Sequence, residues 1–302
     1  MKHEGHGGVY AAMLSPRHED ESIDIARLQK LTRFLLAKGI TGFALNGATG
    51  EFCLTTAEQL RSVLSTVREV SGGTARILCG VGAAGISRTM DLIKVAESEQ
   101  VAGLLLPMPY FFPYQQEDLE LYCRQAAGAT TLPVLLYNLP QFGSGLEKET
   151  VRRLILEVPN IVGIKDSSGS LEILRHLTEH RVDACRIVGN DSALAPALLE
   201  NVCDGVVSGV ACVLPELIQE LYGLNSAQNT ERYEALLNLL RAFIGKLDDF
   251  PTPWGLKWTA EARKVIEASF SQPVTAHRLE QAAAMQQWLR EQVPAILPSV
   301  SF

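Results

Sequence analysis

Along this chain, short apolar runs alternate with stretches whose apolar residues recur every three or four positions. The runs at 9–14, 42–45, 77–81, 103–106, 134–137, 161–164, 186–188 and 205–207 read as buried strands. Amphipathic helices are predicted between them, around 23–38, 56–70, 88–100, 116–128, 147–157, 170–180, 192–200 and 214–223. In one of these, Thr55-Thr-Ala-Glu58 has the form of a capping box, and Leu60, Val63, Leu64 and Val67 follow on one helical face. Past about residue 225 the strand signal stops. The segments 229–247, 254–268 and 276–292 read as helices, with Pro251 and Pro253 punctuating the link between the first two.

Eight strand–helix units in a row predict an α/β protein whose parallel strands close into a (β/α)8 TIM barrel. An open doubly wound sheet usually has fewer strands, and no GxGxxG motif follows the first run. The expected division is a barrel over 1–225 that carries the active site, followed by a C-terminal helical appendage over 226–302. A length of 302 residues accommodates that plan.

Composition narrows the function classes. With 47% hydrophobic and 20% charged residues the chain has ample material for a core. Its formal charge of −7 is spread along the sequence, without the basic stripe that binds nucleic acid. No apolar run approaches the ~18 residues of a membrane span, and no secretory apolar region follows Met1. Six cysteines are scattered without CxxC or paired spacing, as reduced core thiols would be. These features lead us to expect a cytoplasmic protein without a nucleic-acid or membrane partner. His3 and His6 fall in a Gly-rich N-terminus expected to be loose. His18, His176, His180 and His277 share no ligand spacing, so no metal site is expected.

The stretch 159–169, Pro-Asn-Ile-Val-Gly-Ile-Lys-Asp-Ser-Ser-Gly, puts Lys165 at the C-terminal end of an apolar strand. Burying an ammonium is costly, so an apolar setting favours a neutral amine, which is a nucleophile that forms Schiff bases with carbonyl compounds. The same position also suits a lysine that snorkels its charge to water. In such a barrel, chemistry sits where strand C-termini meet the βα loops. There, Asn46-Gly-Ala-Thr-Gly-Glu51 follows strand two. Its glycines let backbone N–H groups approach an anion and Thr49 adds a hydroxyl, although a plain turn would look the same. After strand five, Tyr137-Asn-Leu-Pro140 either points a phenol into the mouth or satisfies it on a backbone carbonyl. After strand seven, Gly189-Asn-Asp191-Ser192 places polar groups over the opening or caps the next helix. After strand eight, Ser208-Gly209 leaves room for a ligand. The segment 107–114, rich in proline and aromatics, forms a rigid rim suited to subunit packing.

The motifs GATGE (47–51), YNLP (137–140) and GIKDSSG (163–169), with the proline-aromatic loop at 107–114, resemble a known set in order and spacing. That set belongs to the dihydrodipicolinate synthase / N-acetylneuraminate lyase family of Schiff-base class I aldolases, and the likeness covers almost the whole chain. The resemblance implies that Lys165 attacks the keto carbon of pyruvate or another 2-keto acid to give an iminium. From that electron sink the neighbouring carbon loses a proton or breaks a C–C bond. The resemblance also implies that Tyr137 is the proton shuttle, Thr49 its hydroxyl partner, and the Ala48–Thr49 backbone, in the loop opened by Gly47, a carboxylate cradle. Gly189, Asp191, Val207 and Ser208 match positions around the substrate. No cofactor is implied, because the imine itself is the electron sink. A homo-oligomer, dimer or tetramer, is expected, with the close contact at 109–114.

Departures from the family pattern bear on the substrate. The synthases carry an arginine two residues after YNxP that pairs with the second substrate's carboxylate. Phe142 stands there and cannot form a bidentate ion pair. Their subunit-bridging tyrosine aligns with Phe111, and the first hydroxyl residue of their GTTGE loop is Ala48. The sialic-acid lyases have an acidic residue just after the aspartate matching Asp191, where this chain has Ser192. The expected activity is therefore an aldolase or lyase acting on pyruvate or a 2-keto acid, such as a 2-keto-3-deoxy sugar acid or an aryl-substituted pyruvate. Phe142 tilts the choice toward a less charged acceptor. The alternatives are a 4-hydroxy-tetrahydrodipicolinate synthase condensing pyruvate with aspartate semialdehyde, a keto-acid dehydratase, and a barrel that binds a keto acid without turnover.

Overall fold

The computed structural model describes residues 6–224 and 230–302. Eight strands, β1 (Gly8–Ala12), β2 (Gly42–Leu45), β3 (Arg76–Gly80), β4 (Gly103–Pro107), β5 (Val134–Asn138), β6 (Ile161–Asp166), β7 (Cys185–Val188) and β8 (Gly205–Ser208), pair in sequence order. All the pairings are parallel, and β1 also pairs with β8, so the sheet closes as the alternation predicts. Strand ends follow the ladder more than the apolar run. β1 stops at Ala12, where its pairing with Ala44 ends, although Met13 and Leu14 continue the run. β6 outlasts its apolar run and carries Lys165 and Asp166 within the ladder, opposite Ile187 and Val188 of β7.

The helices on the outside are α1 (Ile25–Ala37), α2 (Ala57–Val70), α3 (Ile86–Ser98), α4 (Gln116–Gly128), α5 (Lys148–Glu157), α6 (Glu172–Glu179), α7 (Leu194–Leu199), α8 (Val210–Val213) and α9 (Pro215–Gly223). The capping box before α2 lies one residue beyond its expected place. Thr56 accepts from the Gln59 N–H and the Gln59 side chain accepts from the Thr56 N–H, so glutamine fills the role assigned to Glu58. The expected seventh helix begins instead as a short 3-10 turn, Asp191–Ala193, because Asn190 takes the capping role and accepts from Ser192 N–H.

Apolar residues form two layers. Tyr10, Ala44, Leu78, Leu105, Leu135 and Ile187 fill the barrel interior, while a larger layer packs between the sheet and the helices. His6, expected in a loose segment, is buried beside β1 and β4. His3 lies outside the described residues.

After the barrel come α10 (Thr230–Leu247), α11 (Trp254–Ala262) and α12 (Ala276–Ile296). The expected start at Asn229 and the 225/226 boundary fall outside the described residues. α11 ends six residues before its expected limit. Lys264 adopts a left-handed φ of 56° and the Val265 N–H turns back to Ala260, a helix stop usually announced by glycine. α12 instead passes the expected end at Gln292 and takes in Pro294. The appendage is held to the barrel by the buried Arg263, which donates to the Val213 carbonyl at 2.6 Å and pairs with Glu216 at 2.9 Å. Among the described residues no helix is long and apolar enough to cross a membrane.

Candidate active site

The sheet sets Tyr137 and Lys165 side by side. A register shift at Val134/Leu135 makes Leu135 the partner of Gly163 and Tyr137 the partner of Lys165, so both side chains share the inner face. Lys165 Nζ lies 3.7 Å from the Tyr137 ring centroid, and the two residues are only 3% and 2% exposed. The ring's electron-rich face suits an amine or ammonium in that position.

The residues that follow each of them anchor the strand ends from outside. Asn138 donates to Asp166 Oδ1 at 3.0 Å and accepts from the Leu146 N–H, while Ser168 N–H also donates to Asp166 Oδ1. Backbone bonds from Ser167 to Asn138 and from Gly189 to Asp166 stitch β5, β6 and β7 together at the level of the lysine. Burial pushes the Asp166 carboxyl above the usual carboxylate range, and its Oδ2 has no hydrogen-bond partner.

Lys165 opens on a cavity of about 370 Å³ at the C-terminal end of the barrel. Ala48, Thr49, Tyr137 and Phe142 border it on one side, and Gly189, Asp191 and Val207 on the other. Gly47 and Ser208 act from behind this wall. The Gly47 carbonyl accepts from Gly50 and Phe52 N–H groups and so closes the loop turn. Ser208 is fully buried, with its hydroxyl donating to Asp191 Oδ1 and accepting from the Ala211 N–H. Asp191 Oδ2 accepts from the Val210 N–H. Burial raises the Asp191 carboxyl above its ordinary range, against the pull of the Ser208 hydroxyl, two backbone N–H groups and the Lys165 charge.

Sequence reasoning missed two contributions. Ile244, Leu247, Phe250, Thr252 and Leu256 of the appendage wall the same cavity, so these helices reach over the barrel mouth. Lys257 of α11 is buried and pairs with Glu51 of the GATGE loop at 2.7 Å. The signal for Lys257 was available, because it interrupts the apolar stretch Trp254-Gly-Leu-Lys-Trp258 much as Lys165 interrupts its strand. A second hollow of about 220 Å³ adjoins the cavity, sharing Ala48, Phe142 and Thr252 and walled further by Phe52, Cys53 and Tyr110. A larger cleft of about 440 Å³ lies at the N-termini of α5 and α6 and does not include the lysine.

A 4-hydroxy-tetrahydrodipicolinate synthase of Desulforamulus reducens is 33% identical over 225 residues, covering 74% of this chain and 76% of that protein. The structure of the 4-hydroxy-tetrahydrodipicolinate synthase from Methylacidiphilum fumariolicum superposes with a TM-score of 0.87 at 26% identity, covering 98% of this chain and 99% of that one. A dihydrodipicolinate synthase from Acinetobacter baumannii, crystallised with pyruvate, superposes with a TM-score of 0.84 at 25% identity over 93% of this chain and 98% of that one. The family model of the dihydrodipicolinate synthetase family matches residues 6–292, through the barrel and most of the appendage, and the chain belongs to that family.

Proposed function

We propose that this enzyme is a Schiff-base lyase that makes or breaks a carbon bond next to the keto group of pyruvate or a longer 2-keto acid. Lys165 Nζ adds to the keto carbon, water leaves, and the resulting iminium takes up the electron pair released when a C3–H or C3–C4 bond breaks. The enamine is then protonated, or adds to an aldehyde, and water returns the lysine. The observation that carries this reading is the juxtaposition of Lys165 Nζ and the Tyr137 ring at 3.7 Å on the floor of a cavity at the barrel mouth. Tyr137 moves protons at the keto oxygen and C3, and Thr49 borders the same cavity. The turn's own bonds use the N–H groups of Gly50, Glu51 and Phe52, leaving those of Ala48 and Thr49 for the substrate carboxylate. Asp191 keeps acceptor capacity for a substrate hydroxyl.

The adjoining hollow, walled by Phe52, Tyr110 and Phe142, favours an apolar substituent over the carboxylate of aspartate semialdehyde. We also propose a cytoplasmic homo-oligomer whose close contact uses Phe111 and Phe112, which are 84% and 59% exposed. Borohydride trapping with pyruvate, followed by peptide mapping, tests the chemistry. A reduced adduct on Lys165, absent from Lys165→Ala, is expected. An unmodified protein with pyruvate and with 2-keto-3-deoxygluconate would sink the reading.

A further inference from the structure

Glu51 ends the loop that carries Ala48 and Thr49, and its charge partner comes from outside the barrel. Lys257 Nζ of α11 lies 2.7 Å from Glu51 Oε2, and the two residues are 4% and 8% exposed. Charges withdrawn this far from water persist only when paired. Burial pushes the Lys257 ammonium below its ordinary range and Glu51 draws it back up. The surroundings reinforce the pair. Ser271 donates to Glu51 Oε1 at 3.4 Å, and buried Arg17, tied to Thr55 Oγ1 at 2.8 Å, adds a second cation toward Glu51. Lys257 Nζ also stands 5.4 Å from the Phe270 ring.

The loop between Asn46 and Glu51 is held at both ends. Both end residues take left-handed φ values, 56° and 54°, which side-chain-bearing residues keep only when their surroundings over-determine them. Asn46 is fixed from within the barrel by its amide, which donates to the Gly80 carbonyl at 2.7 Å. Glu51 is fixed by the appendage. Between the two anchors the Glu51 N–H donates to the Ala48 carbonyl at 3.0 Å, and Thr49 rides the middle of the span beside the cavity. A shift at Glu51 is therefore passed directly to the residues that face the substrate.

We infer that Lys257 is a positioning residue for the reaction, its ion pair with Glu51 setting where Thr49 and the Ala48–Thr49 backbone meet the keto acid. The inference rests on the Schiff-base reading above. A purely architectural ion pair would change how much protein folds. Loss of a positioning pair also slows the step after imine formation in molecules that are folded and imine-competent.

Exchange of the methyl protons of pyruvate with D2O, followed by NMR, isolates that step, since it needs the imine and then loss of a C3 proton but no aldehyde. The rate is divided by the number of Lys165 sites trapped by borohydride in the same preparation. Lys257→Met alone strands the buried Glu51 carboxylate without its ion-pair partner. The decisive variant is therefore Lys257→Met/Glu51→Gln, which removes both charges and keeps the chain lengths. Glu51→Gln, which retains an acceptor for Lys257, is the second. Exchange per trapped site should fall about 10- to 100-fold in the double variant, the scale of a misplacement of about 1 Å, and by less in Glu51→Gln. Parental exchange per trapped site in either folded variant would overturn the inference and leave the Schiff-base reading standing. A parent enzyme that traps no keto acid at Lys165 would remove both.

Discussion

Gly189→Ala is the substitution whose outcome can be worked most directly from the structure. A Cβ at this position would stand 2.1 Å from Ser167 Oγ, 2.7 Å from Lys165 Cε and 3.0 Å from Lys165 Cγ. Ordinary carbon contacts lie near ~3.5–4.0 Å, so Cε must retreat by about 1 Å, and it carries Nζ, the proposed nucleophile, with it. Overpacking of this kind costs about 1–3 kcal/mol of stability. A displacement of about 1 Å at the reacting atom costs on the order of 10² in rate. The assay is the rate of borohydride-trapped adduct formation at fixed pyruvate, with urea unfolding of the same samples. Two controls separate the contacts. Ser167→Ala/Gly189→Ala relieves the hydroxyl clash and should regain stability without regaining rate, because Lys165 is still displaced. Gly47→Ala, whose Cβ meets nothing within 4 Å, should match the parent to within ~0.5 kcal/mol. If Gly189→Ala formed adduct at the parental rate, the claim that this glycine holds the lysine's place would be wrong.

The remaining predictions use the same preparations. Tyr137→Phe keeps the ring beneath Lys165 and removes only the hydroxyl, so turnover should fall by ~10²–10⁴, the range for a lost proton-transfer group, and near-parental turnover would exclude the shuttle role. Asp166→Asn preserves an acceptor for Asn138 and Ser168 while placing an amide where Oδ2 now has no partner. Because burial raises the Asp166 pKa, the folded state holds its proton more tightly than the unfolded chain. That contribution to stability is present below the unfolded value of ~3.9 and is lost as pH rises through the folded one. The urea midpoint of Asp166→Asn relative to the parent should therefore climb as pH is raised from ~4, and a constant difference would contradict the assignment. Phe142→Arg puts a fork-shaped cation at the half-exposed rim of the cavity. It should shift kcat/KM toward acceptors bearing a carboxylate by at least ~10-fold, read from competing aldehydes, and no shift would place the acceptor elsewhere.

The barrel was legible because each strand is a short apolar run and each run is followed by a helical period; parallel pairing and closure then follow from eight βα units in a row. Lys165 and Tyr137 were legible for a related reason, as polar residues at the ends of strands that are otherwise apolar. What escaped depends on contacts remote in sequence. The stop of α11 at Ala262 is made by a left-handed Lys264 rather than by a glycine, so local composition carries no mark of it. Ser208 was expected among the positions around the substrate, and only the fold brings Asp191 within reach of its hydroxyl. The walls contributed by Leu247, Phe250 and Leu256 come from an element whose packing direction no periodicity specifies. Lys257 was visible as an anomaly, but its partner Glu51 is remote in sequence and could not be named from spacing.

The pairing of β1 with β8, which sets Gly8 opposite Gly205, also has a meaning in time. A ribosome delivers residues in order at about 5–20 per second, and non-local contacts wait for both partners to emerge. Lys165, the proposed nucleophile, therefore leaves the exit tunnel before the last strand that closes the barrel and well before the α11 residues that wall the cavity and latch its loop. Until then the amine belongs to an open, hydrated sheet that holds no keto acid in place. A message cut short before α11 yields a fragment that lacks Leu256 of the cavity wall and the Lys257 latch on the loop. The site is completed by residues translated well after Lys165.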